Sequence, residues 1–425
     1  MLVKQKGLLL VVSAGTLIIL LTVVTLFSER IDFQSSVALA YQRFQELNPW
    51  GGSGSDDGQK AVDEDLLKLT EKVDLSPEQD PFEEKISEPE GPLVRPGANS
   101  SEPVKATLLS LVRNEELKEI LASIRQIEST FNDKFHYPWT FFNDEEFTDQ
   151  FKQQVQEVTK SECEFVKINP EDWEEPSWID REKAERLGLE MKEKEKVQHA
   201  EQQSYHRMCR WNSGKFYVHP ALDKYDFYWR VEPKTNYFCD LDYDVFAYMQ
   251  DHDKDYGFVI NLYDSPESIR SLWPTTVEFF QKHPDYLHKN NALQWLVHTE
   301  REDHNNVTEG YSTCHFWSNF EIGRLEFYRS QAYQDYFDYL DHAGGFFYER
   351  WGDAPVHSVA LGLMLDKERI HWFRDIGYYH PPYYNCPKSD KCKGCVPGKF
   401  SQFNGLDAEN CLNEWFKAAG KSWQK

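Results

Sequence analysis

From Gly7 to Phe27 the chain reads GLLLVVSAGTLIILLTVVTLF, without one charged residue. At about 1.5 Å per residue, a helix of this length crosses a hydrocarbon core of roughly 30 Å. Lys4 and Lys6 precede the stretch, and Glu29, Arg30 and Asp32 follow it. Positive charge is retained on the cytoplasmic side of such an anchor. Residues 1–6 are therefore expected as a cytoplasmic tail, 7–27 as a transmembrane signal anchor, and everything downstream in a lumen. Ala38-Leu39-Ala40 resembles a signal-peptide cleavage site. It stands well past the apolar stretch, however, and the stretch exceeds the usual h-region of about 7–15 residues.

The cysteines and sequons agree with a lumenal domain. All eight cysteines (163, 209, 239, 314, 386, 392, 395 and 411) lie downstream of the anchor, and an even count there suits disulfides. Cys386, Cys392 and Cys395 have partial zinc-site spacing, but no second CxxC or paired His completes it. Asn99-Ser100-Ser101 and Asn306-Val307-Thr308 are glycosylation sequons, relevant only on the lumenal side. The net charge of −24 argues against broad nucleic-acid binding, which needs a basic footprint. It leaves room for one nucleotide, because local arginines or a divalent cation can supply the positive charge.

Residues 28–102 read as a flexible stem. The run Gly51-Gly52-Ser53-Gly54-Ser55 is coil-forming, and Pro77, Pro81, Pro89, Pro92 and Pro96 sit among acids. Within it only Asp63 to Val73 has an amphipathic, helical spacing. A folded domain is expected over 103–425. Ala106–Val112 is an apolar run suited to a buried strand. Asn114 is then placed to cap a helix to about Phe131, with Leu117, Ile120, Leu121, Ile124 and Ile127 at helical spacing. A strand at Tyr137–Phe142 completes a βαβ unit, the opening of a parallel α/β sheet. Ligands bind beyond the carboxyl ends of such strands, which makes Arg113 and Asn114 a candidate phosphate loop.

Further along, a charged helix is expected over Asp180 to about Gln203 and a buried strand over Tyr225–Val231, ending in Glu232-Pro233. Another strand is expected at Gly257–Leu262, followed by a helix at Ser265–Lys282. Cys314–Phe320 leads into Glu321 and a helix through Tyr339, and Asp353–Leu365 forms another helix. Glu232 is notable because a carboxylate closing a strand of buried aromatics is paired or bound to a cation. An ion pair with Arg230 and a divalent-metal role are equally consistent with that placement. Asp240-Leu241-Asp242 and Asp242-Tyr243-Asp244 match the short DxD pattern, and read best as a solvated strand face or turn.

Several longer motifs occur in order. They are Asn114-Glu115-Glu116-Leu117, Tyr137-Pro138-Trp139, Tyr205-His206-Arg207-Met208-Cys209-Arg210 and Tyr228-Trp229-Arg230-Val231-Glu232-Pro233. Cys314-His315-Phe316-Trp317-Ser318-Asn319-Phe320-Glu321, the run Gly344 to His357 (GGFFYERWGDAPVH) and Tyr379-His380-Pro381-Pro382-Tyr383 follow. Over about three quarters of the chain this resembles the fungal Golgi α-1,2-mannosyltransferases of glycosyltransferase family 15.

The resemblance implies a Rossmann-like GT-A fold behind the anchor and stem, and a type II Golgi membrane protein. It also implies Mn²⁺-dependent transfer of mannose from GDP-mannose to the 2-hydroxyl of an acceptor mannoside on O- or N-glycans, with retention. By the same resemblance Glu232 and His380 match metal ligands, Glu321 the candidate nucleophile, Tyr205 a donor-site residue, and Asp353 an acid of the cleft. Arg113 matches a nucleotide contact, and Arg207 and Arg210 are candidate partners of the leaving diphosphate. Lys234 stands where the last acid of a DxD motif would be. His357 reads as a packing residue on its helix. Two alternatives accompany this reading: a mannosylphosphate transferase using the same donor, and a catalytically silent mannan-binding or scaffold subunit of the Golgi.

Overall fold

The computed structural model describes residues 104–420. The expected tail, anchor and stem, the amphipathic stretch at 63–73 and the Asn99 sequon lie outside the described residues. Among the described residues no helix is long and apolar enough to cross a membrane.

Strand β1 (Ala106–Leu111), helix α1 (Leu117–Ile127) and strand β2 (Trp139–Asn143) form the expected βαβ unit, with β1 and β2 parallel. Asn114 does not cap α1. It opens a short 3₁₀ turn, Asn114–Glu116, and its amide links two loops by donating to the Glu146 carbonyl and accepting from Thr148 N–H, both at 3.0 Å. Glu116 holds the N-cap position of α1 without a side-chain cap bond, and its carboxylate instead closes the 3₁₀ turn by accepting from Arg113 N–H at 3.1 Å.

The other strands are β3 (Cys163–Lys167), β4 (Phe227–Arg230), β5 (Asn236–Tyr237), β6 (Tyr256–Phe258) and β7 (Asn261–Tyr263). They continue with β8 (Cys314–Phe316), β9 (Glu321–Arg324), β10 (Ile370–Trp372), β11 (Tyr378–His380) and β12 (Tyr383–Asn385). Among the described residues seven of them build one sheet in the order β10-β6-β9-β4-β1-β2-β3. Neighbours run parallel except β9, which is antiparallel to both β4 and β6. A smaller antiparallel sheet, β12-β11-β5, and the pair β7-β8 lie beside it.

Alternation along β4 explains the layering. Phe227 and Trp229 enter the core under α1, with Ile120, Leu121, Ile124 and Ile127. Tyr228, between them, enters the opposite core with Tyr256 and with Val356, Val359 and Ala360 of helix α2 (Asp353–Met364). Side chains two apart share a face, so Arg230 lies on the Tyr228 face, beneath α2. A Cβ on Gly323 of β9 would stand 2.5 Å from the Tyr228 ring, so glycine is what admits that ring.

The structure departs from the sequence expectations at four further elements: the helix expected over Ser265–Lys282 begins only at Leu272, after a 3₁₀ turn at Pro266–Ser268, and three others differ as follows. The stretch Gly257–Leu262 divides into β6 and β7, which pair in different sheets. The charged helix ends at Glu190, and a short π turn beyond it stops at Lys196, whose φ is 62°. Glu321 opens strand β9 and not a helix; helices follow only from Leu325.

Three disulfides join Cys239 to Cys392, Cys314 to Cys411 and Cys386 to Cys395. Cys163 and Cys209 remain thiols, so the even count does not mean complete pairing. The aspartates of the DxD matches serve the turn: Asp240 pairs with Lys134, Asp242 with Lys391, and Asp244 caps the helix Val245–Asp251.

Candidate active site

The site forms where β4 ends and β9 begins. Arg230 and Glu321 are direct partners in this antiparallel ladder. Arg230 is buried, and its guanidinium serves three carboxylates. Nη2 donates to Glu232 Oε1, Nη1 donates to Asp353 Oδ2 at 2.5 Å, and Nη1 stands 3.8 Å from Glu321 Oε1. One fork-shaped cation thereby balances acids drawn from three elements.

Asp353 is the first residue of α2. Ser318 Oγ donates to its Oδ2 at 2.7 Å, and Arg230 supplies the countercharge. Burial opposes its ionisation, but the charge of Arg230, the nearby His357 and the two hydrogen bonds outweigh burial and hold the carboxyl below its ordinary range.

Glu321 is 0% exposed. Its Oε2 accepts from Tyr256 Oη at 3.2 Å and faces His357 Nδ1 at 3.0 Å, whereas Oε1 has no hydrogen-bond partner. The acids therefore lie at graded depth: the Glu232 side chain is 23% exposed, that of Asp353 8%, and Glu321 is sealed.

At the mouth, His380 ends strand β11, and its Nε2 stands 3.8 Å from Glu232 Oε2. His380 Nδ1 lies 3.2 Å from the Pro381 carbonyl, which can only accept, so Nδ1 carries the hydrogen and Nε2 the lone pair. Burial pushes the imidazole toward its neutral form against the pull of Glu232. In the neutral ring two electron-pair donors therefore face each other. A carboxylate oxygen and a neutral imidazole suit a divalent ion such as Mn²⁺. The residues fit that ion with two protein ligands, leaving its other positions to water and an anionic substrate. Among the described residues no group of three or more His, Cys, Asp or Glu is arranged for a metal.

Tyr205 is half-buried, stacked on His199, with the Arg350 guanidinium 5.9 Å from its ring centroid. Burial raises its phenol, and Asp353 adds to the effect. Arg113 sits past the end of β1, well exposed and paired with Glu116 at 3.2 Å. Arg207 and Arg210 stand apart from the acid cluster. Arg207 pairs with Glu174 at 2.8 Å and Glu175 at 2.9 Å, and buried Arg210 holds Asp341 through two bonds of 2.7 and 2.8 Å.

The structure therefore gathers Glu232, His380, Glu321 and Asp353 with Tyr205 nearby, and leaves Arg113 at the rim. It adds Arg230, Ser318, Tyr256 and His357. Two of these had sequence signals: Arg230 precedes Glu232 by two positions in extended chain, and His357 follows Asp353 by four on a helix.

A cation position at the mouth, carboxylates at increasing depth and an α/β sheet edge define a group-transferring enzyme that handles an anionic leaving group. The chain belongs to the glycolipid 2-alpha-mannosyltransferase family, whose model matches residues 59–420. It is 50% identical over 343 residues to the probable mannosyltransferase KTR4 of Saccharomyces cerevisiae, covering 79% of this chain and 74% of that protein. It is 46% identical over 319 residues to the O-glycoside alpha-1,2-mannosyltransferase omh1 of Schizosaccharomyces pombe, covering 74% of this chain and 79% of that one. Among solved structures it resembles core-mannan synthase A (CmsA/Ktr4) from Aspergillus fumigatus in its Mn/GDP form. That match has a TM-score of 0.76 and 49% identity, over 81% of this chain and 95% of that chain. The mannosyltransferase Ktr4p of S. cerevisiae in complex with GDP matches with a TM-score of 0.76 and 44% identity, over 92% of this chain and 98% of that chain.

Proposed function

We propose that this chain is a GDP-mannose-dependent α-1,2-mannosyltransferase that extends mannose-ended O- or N-linked glycans with retention of configuration, in a GT-A-type domain. The observation that carries the reading is the graded cluster of Glu232, Asp353 and Glu321 around Arg230, with His380 facing Glu232 at 3.8 Å. Its relatives include named α-1,2-mannosyltransferases, and similar structures hold GDP and manganese. A Golgi membrane location through residues 7–27, as a single-pass type II protein with a lumenal catalytic domain, is part of the same proposal.

Bound between Glu232 and His380, Mn²⁺ would neutralise the diphosphate as it leaves. The protein's own residues do the rest. Glu232 and His380 would hold that ion, and Arg113, past the end of β1, would contact the nucleotide. Arg230 supplies the shared countercharge of the three acids. Glu321, deepest in the site, supplies the negative charge that meets the positive charge developing at C1. Asp353, held by Ser318 and Arg230, orients the acceptor hydroxyl and takes up its proton.

The test is to incubate the purified full chain with GDP-mannose and methyl α-mannoside, in Mn²⁺ or in EDTA, and to determine the product linkage. An α-1,2-linked disaccharide formed only with metal is expected. A phosphodiester product would replace the reading with mannosylphosphate transfer, and GDP binding without any transfer to mannosides would replace it with a silent binding subunit.

A further inference from the structure

Glu321 has two oxygens in unlike surroundings. Both hydrogen-bond contacts, from Tyr256 Oη at 3.2 Å and His357 Nδ1 at 3.0 Å, converge on Oε2. Oε1 is buried and has no hydrogen-bond partner; its charged neighbour is Arg230 Nη1 at 3.8 Å, on the side where Asp353 and Glu232 gather. A buried carboxylate oxygen left without a donor is costly unless its position serves another purpose.

His357 is fixed from both ends. It lies on α2, one helical turn after Asp353, and is wholly buried. On its far side Nε2 meets the Tyr217 hydroxyl and, at 2.9 Å, the Asn212 carbonyl. Tyr217 Oη itself stands 2.9 Å from that carbonyl. If Tyr217 donates to Nε2, the ring is neutral with its hydrogen on Nδ1. If Nε2 donates to the Asn212 carbonyl while Nδ1 faces the Glu321 carboxylate, the ring is an imidazolium. Both arrangements place an N–H on Glu321.

We infer that His357 is a positioning residue for the transfer reaction: with Tyr256 it anchors Oε2 of Glu321, so that Oε1 is turned to the side where Arg230 and Asp353 gather, the side from which the carboxylate acts on the sugar. The inference rests on the role proposed above for Glu321 and adds the device that orients it. The unit Tyr217–His357–Glu321 acts as a relay of orientation from the helical layer into the site, and α2 carries both His357 and Asp353. One helix therefore sets the geometry of the deep carboxylate and of the acid assigned to the acceptor.

The test exploits amide geometry. In His357→Asn the side-chain amide N–H can occupy the place of Nδ1 and still donate to Glu321. In His357→Gln it reaches the place of Nε2, and in His357→Leu the volume is kept but the donor is lost. For the full chain, kcat and KM for GDP-mannose are measured together with GDP affinity in Mn²⁺. The Asn variant is expected within about tenfold of wild-type kcat, and the Gln and Leu variants at least about a hundredfold down. GDP affinity should stay within about twofold in all three. A packing role predicts instead that Leu does at least as well as Asn, and that ranking would overturn the inference. Tyr256→Phe, which removes the other donor with minimal change of shape, is expected to lower kcat about tenfold with GDP affinity unchanged. A kcat equal to wild type there would overturn the shared anchoring of Oε2, even if the His357 variants fail to fold. A wild-type chain that bound GDP but transferred no mannose would instead remove the proposed function itself.

Discussion

Arg230 and Glu321 are register partners across β4 and β9, with Nη1 standing 3.8 Å from Oε1. An antiparallel pair inserted in an otherwise parallel sheet thus places a cation directly opposite the deepest acid. In a parallel pairing Glu321 would stand at the other end of the strand, away from the carboxyl edge where Glu232 lies. The direction of β9 is therefore a requirement of the site.

Removing that cation should be costly. Arg230→Met leaves the buried carboxylates of Asp353 and Glu321 without the guanidinium they share, and breaking such a group typically costs about 3–5 kcal/mol. A marked drop in the calorimetric melting temperature is expected. Arg230→Lys should lose less, keeping the charge but not the fork that reaches Glu232 and Asp353 together. Equal melting temperatures for all three proteins would mean that the acids are balanced some other way.

Glu232→Ala removes one of the two donors facing the cation position. Titration calorimetry with GDP should show affinity raised by Mn²⁺ in the wild type, and a loss of at least about tenfold of that gain in the variant, about 1.4 kcal/mol. GDP binding in EDTA should change little. A full Mn²⁺ effect in the variant would take Glu232 out of the ligand set.

Glu321→Gln is close to isosteric and keeps an acceptor for Tyr256 and His357. It should bind GDP in Mn²⁺ as the wild type does and lose at least about a hundredfold in kcat. Near-normal turnover would remove the carboxylate from the chemistry.

The parts legible in sequence are those where one local signal dominates. The apolar run at Ala106 and the helical spacing after Leu117 define the βαβ opening, and Asp353 begins its helix as expected. What was illegible depends on partners far along the chain. Val259 and Ile260 are as apolar as their neighbours, so nothing local marks the change from one sheet to another. Glu321–Arg324 precedes a strongly helical stretch, and only pairing with β4 and β6 makes it a strand. Arg210 looked available to a phosphate because Asp341, which holds it, is 131 residues away. His357 read as packing because the value of its Nδ1 depends on where β9 puts Glu321.

The disulfide Cys314–Cys411 ties β8 to the C-terminal helix Leu412–Ala419, across a separation of 97 residues. Closing so long a loop restricts the unfolded chain, and losing such a bridge costs about 2–5 kcal/mol. Cys314→Ser with Cys411→Ser should therefore lower the melting temperature. The acid cluster stands on β4, β9 and α2, so GDP affinity in Mn²⁺ at 25 °C should survive in the fraction that is folded. An unchanged melting temperature would show that packing of Trp415 against Trp295 and Phe316 holds this helix without the bridge.

His298 gives the fold a sensitivity to acid. Burial, with a smaller contribution from the charge of Lys417, lowers its imidazole from 6.5 to about 4. Its Nε2 is buried and has no hydrogen-bond partner. The unfolded chain, with an ordinary histidine, binds a proton between pH 6.5 and 4, and the folded chain does not. Stability therefore rises with pH over that window and falls as pH drops through it, by on the order of 3 kcal/mol for a full shift. His298→Gln, which cannot titrate, should flatten this part of the stability curve measured by urea unfolding from pH 7 to pH 4. Asp353, whose carboxyl is held low, contributes a separate loss that begins as the pH falls into the ordinary carboxylate range and continues down through its lower folded value. The two are separable because the His298 window closes where the Asp353 window opens. A His298→Gln curve that parallels the wild type from pH 6.5 to 4 would mean that this imidazole takes up its proton in the folded state.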